Sequence, residues 1–410
     1  MSASSRERYE LAANTIDDRE IEAAVEVLRS GRLTMGTRVR QFEEAFSHWI
    51  GGKHALMVNS GSSANLLAVE AKLRGAREGG RRWEPGDEVL VPALAWPTTV
   101  WPVAQLGLVP VLIDVDPDSL ALDLESAAST LGPRTVGMFL IHVLGQAAEM
   151  DRYLAFCEAH GLDLIEDSCE SLGAHSGGRH VGTMGEMGTF STYFSHHLTT
   201  IEGGMVVTSD DALFDDLRSM RAHGWVRDRS DRRELALRAE TFDDRFLFVT
   251  TGFNFRPTEM QAAIGLVQLE RLPAMLEGRA QLARTVARWV DDIPWLRLIG
   301  AERIGHDEFL QEGWRSHSWM TLPFEVDRSA PLEASKVAAL LEDAAIETRP
   351  VVAGNLARHP AMDQIVHRVA PSLVVADRVF TDCFMIGCHP FATPAQLETL
   401  EEGLATLASL

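Results

Sequence analysis

The chain has 410 residues, 46% of them hydrophobic, enough for a sizeable core and more than one small domain. Its formal net charge of −21 repels phosphate backbones, so nucleic acid is excluded as a partner and any anionic ligand must meet locally placed arginines. With the polar start MSASSRERYEL and no long apolar run, neither a signal peptide nor a membrane span is expected, and a cytoplasmic protein free of membrane is.

Taken in chain order, Thr15 to Gly31 reads as a helix, with Asp17 and Asp18 at its start, a stripe of Ile21, Val25 and Leu28, and Gly31 as its stop. Phe42 and Phe46 open the apolar face of a second helix. Short apolar runs at 54–58, 88–94, 109–115, 135–145 and 162–168 then alternate with helical stretches such as EMDRYLAFCEAHG. Continuous apolar strands spaced by helices predict a mainly parallel sheet covered on both faces, with ligands at the carboxyl ends of its strands. The charged segment 226–245 has no clear stripe and reads as a solvated loop. Residues 256–272 read as a strong helix, with Met260, Ile264 and Val267 on one face and Arg271 at its carboxyl end. A smaller α/β region follows, and the domains are placed at 1–279 and 280–410.

The four cysteines, Cys157, Cys169, Cys383 and Cys388, show no CxxC spacing and read as reduced core thiols, so no metal site is expected. In VNSGSSANLL a strand ends and Asn59 to Ser63 leads into a helix, an arrangement open to an anion or to a plain helix cap. Asp167 closes an apolar strand in LIEDSCES, with Glu170 three residues on. It could serve a heterocyclic nitrogen or cap a helix. Trp96, after another strand, could stack on a flat cofactor or belong to the core. Ser191, His196 and His197 precede an acidic Gly-Gly turn between two strand-like runs.

In combination these motifs resemble the DegT/DnrJ/EryC1/StrS family of nucleotide-sugar aminotransferases, enzymes of fold type I that use pyridoxal phosphate (PLP). The resemblance runs through LTMG (33–36), VNSGSSANLL (58–67), VPALAWPTT (91–99), LIEDSCESLGA (164–174), 182–208, RAHGW (221–225) and 254–272. It implies an α/β large domain with a mixed, mainly parallel sheet of the seven-stranded type and a smaller C-terminal α/β domain. It also implies that Gly61, Ser62 and Ser191 hold the cofactor phosphate, that Trp96 stacks on the pyridine ring and that Asp167 pairs with its nitrogen. Glu170 would lie beside the ring, and Asn254 would reach the phosphate site of a neighbouring subunit in a homodimer with shared active sites.

The departure is the catalytic lysine. Its position in the family lies five residues after the phosphate serine and six before the acid of the EGG turn, and both distances lead here to His196. The chain has three lysines, Lys53, Lys72 and Lys336, none near that position. The same exchange marks the family's sugar 3-dehydratase branch, and the cysteines do not resemble the iron–sulfur subgroup of that branch. A lysine-less chain of this kind would hold PLP and its amino form, pyridoxamine phosphate (PMP), without a covalent bond. His196 would be both acid and base, as its unperturbed pKa allows. L-Glutamate would supply the amino group, and a nucleotide-linked 4-keto-6-deoxysugar, GDP-4-keto-6-deoxymannose in expectation, would lose its 3-hydroxyl with release of ammonia. By resemblance Leu33, Thr34, Met35, Gly36, His223, Arg227, Arg256 and Glu347 line the substrate side. Arg349 is a further expected contact for glutamate's carboxylate or the pyrophosphate. The alternatives are an aminotransferase with an atypical base and a catalytically silent PLP-binding regulator.

Overall fold

A computed structural model describes residues 7–75, 82–239, 242–304 and 315–410. In chain order the strands are β1 (His54–Val58), β2 (Glu88–Pro92), β3 (Val109–Ile113), β4 (Thr135–Ile141), β5 (Asp163–Asp167), β6 (His175–Ser176), β7 (Arg179–His180), β8 (Met187–Ser191), β9 (Gly204–Thr208), β10 (Leu296–Leu298), β11 (Thr321–Val326), β12 (Thr348–Arg349), β13 (Arg368–Val369) and β14 (Cys383–Gly387). The main sheet has the order β1-β9-β8-β5-β4-β2-β3-β13. Only β9 runs antiparallel to its neighbours. The expected mixed sheet is present, with the two-residue β13, contributed by the C-terminal stretch, as an eighth strand beside β3. β2, β3, β4, β8 and β9 are buried along their whole length, as strands covered on both faces must be. A second sheet, β10-β11-β14-β12, is antiparallel and packs its own apolar cluster around Phe324 and Phe384.

Three local expectations need correction. In the helix Asp18–Ser30 the inner face is not the Ile21–Leu28 stripe, since Ile21 and Leu28 are 53% and 56% exposed. The buried residues are Glu20 and Val27. Glu20 Oε1 accepts from Gln268 Nε2 and Arg271 Nη1, so a polar network, not a stripe, docks this helix. Arg271 is therefore spent on an ion pair and does not end its helix, which runs Glu259–Val290 with Pro273 inside it. The apolar face simply continues beyond the proline, through Met275, Leu276, Ala283, Val286 and Val290, all buried. Lastly, the segment 226–245 is not a plain loop. It holds a short 3-10 turn at Val226–Asp228 and a helix at Arg232–Arg238 that buries none of its residues. Residues 240 and 241 lie outside the described residues.

Candidate active site

The carboxyl ends of β5, β8 and β1 converge on one cavity of about 550 Å³. Gly61, Ser62, Trp96, Asp167, Glu170, Ser191, His196 and Arg349 all line it. The helix Gly61–Arg74 begins at its floor, capped by Ser60, whose hydroxyl accepts from Ser63 N. Gly61 is required by contact. A Cβ there would lie 2.6 Å from Ser191 Cβ, so the helix start and the end of β8 touch through a missing side chain. Gly204, opposite Ser191 in the β8–β9 register, is constrained likewise, because its Cβ would meet Ser60 O at 2.5 Å. The Gly-Gly turn thus lets β9 close over the helix start and leaves Glu202 on the cavity wall.

Asp167 is the last residue of β5 and is buried. Its Oδ2 accepts from Asn65 Nδ2 at 2.8 Å and Thr99 Oγ1 at 2.7 Å, and its Oδ1 accepts from Cys169 N at 3.1 Å. Thr189 Oγ1 in turn donates to Asn65 Oδ1, fixing the amide's orientation. These donors leave Oδ1 with capacity for one more. Trp96, 57% exposed, caps the helix Pro97–Gln105 and presents a ring to the cavity. Glu170 Oε2 accepts from Leu144 N at 2.9 Å, and burial, with the Asp167 charge adding to it, pushes its carboxyl up to about 7.

His196 Nδ1 lies 2.7 Å from Cys169 O. A carbonyl only accepts, so Nδ1 carries the proton and Nε2 of the neutral ring keeps its lone pair. Burial pushes the His196 pKa down to about 4, with the Arg279 charge acting in the same direction, so the ring is a neutral base at physiological pH. His197, its neighbour, is turned inward. It is 1% exposed, its Nε2 lies 3.1 Å from Ser318 O, and it is absent from the cavity wall. No lysine lines the cavity. Lys53 pairs with Asp211, and Lys72 is buried between Asp163 and Glu186.

The remaining expected residues form a separate face. Glu259 takes backbone N–H groups of Gly36, Arg38 and Val39, at 2.8, 2.9 and 2.9 Å, and its own N donates to Leu33 O. That carboxylate caps the helix Thr37–Ile50, whose N-cap Gly36 has no side chain to do so, and pins Leu33, Thr34, Met35 and Gly36 to the start of the long helix. Thr34 bridges Thr258, Ala222 bridges Asn254, and His223 N donates to Phe253 O at 2.7 Å. Arg256 Nε donates to Asn254 Oδ1, and Arg227 stacks over Trp225 with its charge beside Asp228. So Leu33 to Gly36, His223, Arg227, Asn254 and Arg256 share one outward face, with Leu33, Phe246 and Phe248 among its exposed apolar residues. None of them lines this chain's cavity. Glu347 sits at the rim: it pairs with Arg349 and accepts from the backbone N of Leu11, which itself lines the cavity.

Sequence reasoning missed Asn65, Thr99, Cys169, Tyr193 and Arg279. Asn65 and Thr99 were within reach, because one lies a helical turn after Gly61 and the other three residues after Trp96. Cys169, read as a core thiol, instead lines the cavity between Asp167 and Glu170.

Residues 14–404 match the DegT/DnrJ/EryC1/StrS aminotransferase family. The chain is 32% identical over 395 residues to a GDP-4-keto-6-deoxy-D-mannose 3-dehydratase of Yersinia pseudotuberculosis, covering 96% of this chain and 97% of that one. Among solved structures it is similar to the Escherichia coli GDP-4-keto-6-deoxy-D-mannose 3-dehydratase with bound hydrated PLP, at TM-score 0.85 and 33% identity over 97% of this chain and 99% of that one. It is also similar to a GDP-4-keto-6-deoxymannose 3-dehydratase holding a trapped PLP–glutamate geminal diamine, at TM-score 0.86 and 32% identity, with 97% of this chain and 100% of that one covered. The order of strands around Asp167 and Ser191 and the match over nearly the whole length lead to one conclusion: the chain belongs to the DegT/DnrJ/EryC1/StrS aminotransferase family.

Proposed function

We propose that the chain is a PLP/PMP-dependent nucleotide-sugar 3-dehydratase that removes the C3 hydroxyl of a nucleotide-linked 4-keto-6-deoxyhexose, GDP-4-keto-6-deoxymannose in the first instance. L-Glutamate is the amino donor. The observation that carries this reading is His196: it opens onto the cavity with its tautomer fixed by Cys169 O, at the position where the resemblance puts the family's lysine. Similar dehydratases contain hydrated PLP or a PLP–glutamate adduct.

The cavity fits the cofactor. Gly61 lets the helix start, with its free N–H groups, approach Ser191 closely, Asp167 keeps an accepting oxygen for a ring nitrogen, and Trp96 offers a flat apolar face. When bound, the cofactor supplies the electron sink that lets a C–H bond break and an adjacent C–O bond leave.

The chain's own residues do the rest. Asp167, held by Asn65 and Thr99, would keep the ring nitrogen protonated. Trp96, on the cavity wall, would offer its flat face to the ring. His196 Nε2 accepts a proton from the donor's α-carbon in the first half of the cycle and, once charged, returns protons. In the second half the same nitrogen would again act as base and then, as the acid, hand its proton to the departing 3-hydroxyl, which would leave as water. Histidine also cannot form an imine, so it would not compete with the cofactor's or the donor's amine for a carbonyl. The net balance is glutamate plus sugar giving 2-oxoglutarate, ammonia and the 3-deoxy-4-keto sugar.

The face carrying Leu33 to Gly36, His223, Arg227, Asn254 and Arg256 belongs to the same proposal. It completes the cavity of a second copy in a homodimer, where Arg227 and Arg256 meet the nucleotide's pyrophosphate. Its support is that these residues cluster, are mostly exposed, and sit beside exposed Phe246 and Phe248. Division of the chain at 279/280 is part of this reading too: apart from Tyr9, the apolar cluster of the second sheet draws only on 280–410, while β13 and residues such as Val351, Leu356 and Val379 cross back to the first core. No helix among the described residues is long and apolar enough to cross a membrane, which suits the cytoplasmic site where nucleotide sugars are handled.

The test is incubation with PLP, glutamate and a panel of GDP- and dTDP-linked 4-keto-6-deoxyhexoses, read by mass spectrometry. Loss of one oxygen from C3 is the expected result. Unchanged sugar across the panel would overturn the proposal.

A further inference from the structure

We infer that Arg279 is the carboxylate-recognition residue of this cavity and receives a carboxylate of the dicarboxylate amino donor. The inference rests on the proposed function and deepens it, since that reading supplies the donor.

Arg279 lies in the helix Glu259–Val290, is 5% exposed, and lines the cavity with His196. Its Nη1 donates to three carbonyls, Trp319 O at 3.3 Å, Met320 O at 2.9 Å and Cys388 O at 2.6 Å. Its Nε is buried without a partner. Among the described residues no carboxylate pairs with it. The ionisable neighbours on its other side are Tyr9 and Cys388, and burial drives both upward, the thiol to about 12, so neither carries a compensating charge. A guanidinium is always charged, and one buried without a counter-ion is costly. Retaining it on a cavity wall, with one nitrogen clamped by neutral carbonyls and the rest of its planar fork free, is the arrangement a ligand carboxylate completes.

Arg349, the arginine sequence reading favoured for this task, is differently placed. Its side chain is half exposed, already paired with Glu347, and donates to Thr348 O at 2.7 Å. Of the acids on the cavity wall, Asp167 Oδ2 accepts from Asn65 and Thr99, Glu170 accepts from Leu144 N, and Glu202 lies on the Gly-Gly turn. None of the three pairs with Arg279. Arg279 and His196 line the same cavity, so a carboxylate seated on Arg279 would hold the donor in the space that the base also faces.

The experiment compares wild type with Arg279→Gln and Arg279→Lys. The first readout is calorimetric binding of 2-oxoglutarate and glutarate to cofactor-free protein, with acetamide as the uncharged control. Removing one partner of a buried charge pair predicts affinity for both dicarboxylates lower by roughly 30-fold or more in Arg279→Gln. Arg279→Lys, which keeps the charge and can still meet carbonyls, should recover part of the loss and carries the test if the glutamine variant does not fold. The second readout sets glutamate-driven conversion of PLP against dehydration started from supplied PMP. The loss should fall at least tenfold harder on the glutamate step. Unchanged dicarboxylate binding in a folded variant, or equal losses in both half-reactions, would reduce Arg279 to a structural clamp and overturn the inference. If wild type binds dicarboxylates through Arg279 yet never dehydrates a sugar from PMP, the proposed function falls while the Arg279 assignment stands.

Discussion

Replacing His196 by asparagine separates shape from chemistry. The wild-type ring donates Nδ1–H to Cys169 O at 2.7 Å, and an asparagine Nδ2–H can make the same bond. The fold should therefore lose no more than about 1 kcal/mol, the worth of one ordinary hydrogen bond. The proposed cofactor cradle of Gly61, Ser191, Asp167 and Trp96 is untouched, so affinity for PLP and PMP should stay within a few-fold. What disappears is the lone pair of Nε2. Loss of a positioned acid–base slows proton transfer by about 10²–10⁴-fold, equivalent to about 3–5 kcal/mol of barrier. Both half-reactions depend on the same nitrogen, so both should slow together. Stopped-flow absorbance measures the glutamate half-reaction, and mass spectrometry of product measures dehydration. The control is His197→Asn, because His197 points at Ser318 O and is off the cavity wall. Near-normal dehydration in His196→Asn with abolition in His197→Asn would refute the assignment.

Further outcomes follow from the same geometry. His196→Lys should let PLP attach covalently, visible as a pyridoxyl mass increment on residue 196 after borohydride, with dehydration giving way to amino-sugar formation; wild type should show no increment on any lysine. Because burial holds His196 near 4, its proton-accepting form persists as pH falls and is lost only on passing below that value, so the acid limb of the glutamate half-reaction should lie well below 6.5. A limb near 7 should instead vanish in Glu170→Gln, since Glu170 is the carboxyl raised to about 7; a limb near 6.5 surviving in that variant would contradict the His196 environment. Gly61→Ala forces a Cβ to 2.6 Å from Ser191, so overpacking should cost about 1–3 kcal/mol of stability in a denaturant melt and weaken PLP retention measured by dialysis.

The parts of the site legible in the sequence are those made by local chain geometry. Asp167 ends an apolar strand, Ser191 ends another, and the Gly-Gly turn fixes where the histidine stands between them. Resemblance added the outward face of Leu33 to Gly36, His223, Arg227, Asn254 and Arg256, which no periodicity marks and which this chain's cavity does not include. Arg279 left no local signal. It shares its helix with Arg271, Arg284 and Arg288, and only the carbonyls of Trp319, Met320 and Cys388, distant in sequence, distinguish it. The first helix was misread for a related reason. Its inner face docks through Glu20, Gln268 and Arg271, a polar contact that an apolar stripe cannot reveal, while Ile21 and Leu28 remain outside.

The most direct measurement follows the nitrogen. With glutamate labelled isotopically at its amino group, PLP, and GDP-4-keto-6-deoxymannose, and no added electron donor, the label should appear in free ammonia in a one-to-one ratio with the 3-deoxy-4-keto sugar. Labelled nitrogen retained in a 4-amino sugar, or no deoxygenation until a reductase is supplied, would contradict the account of a histidine-based, reductase-independent dehydratase.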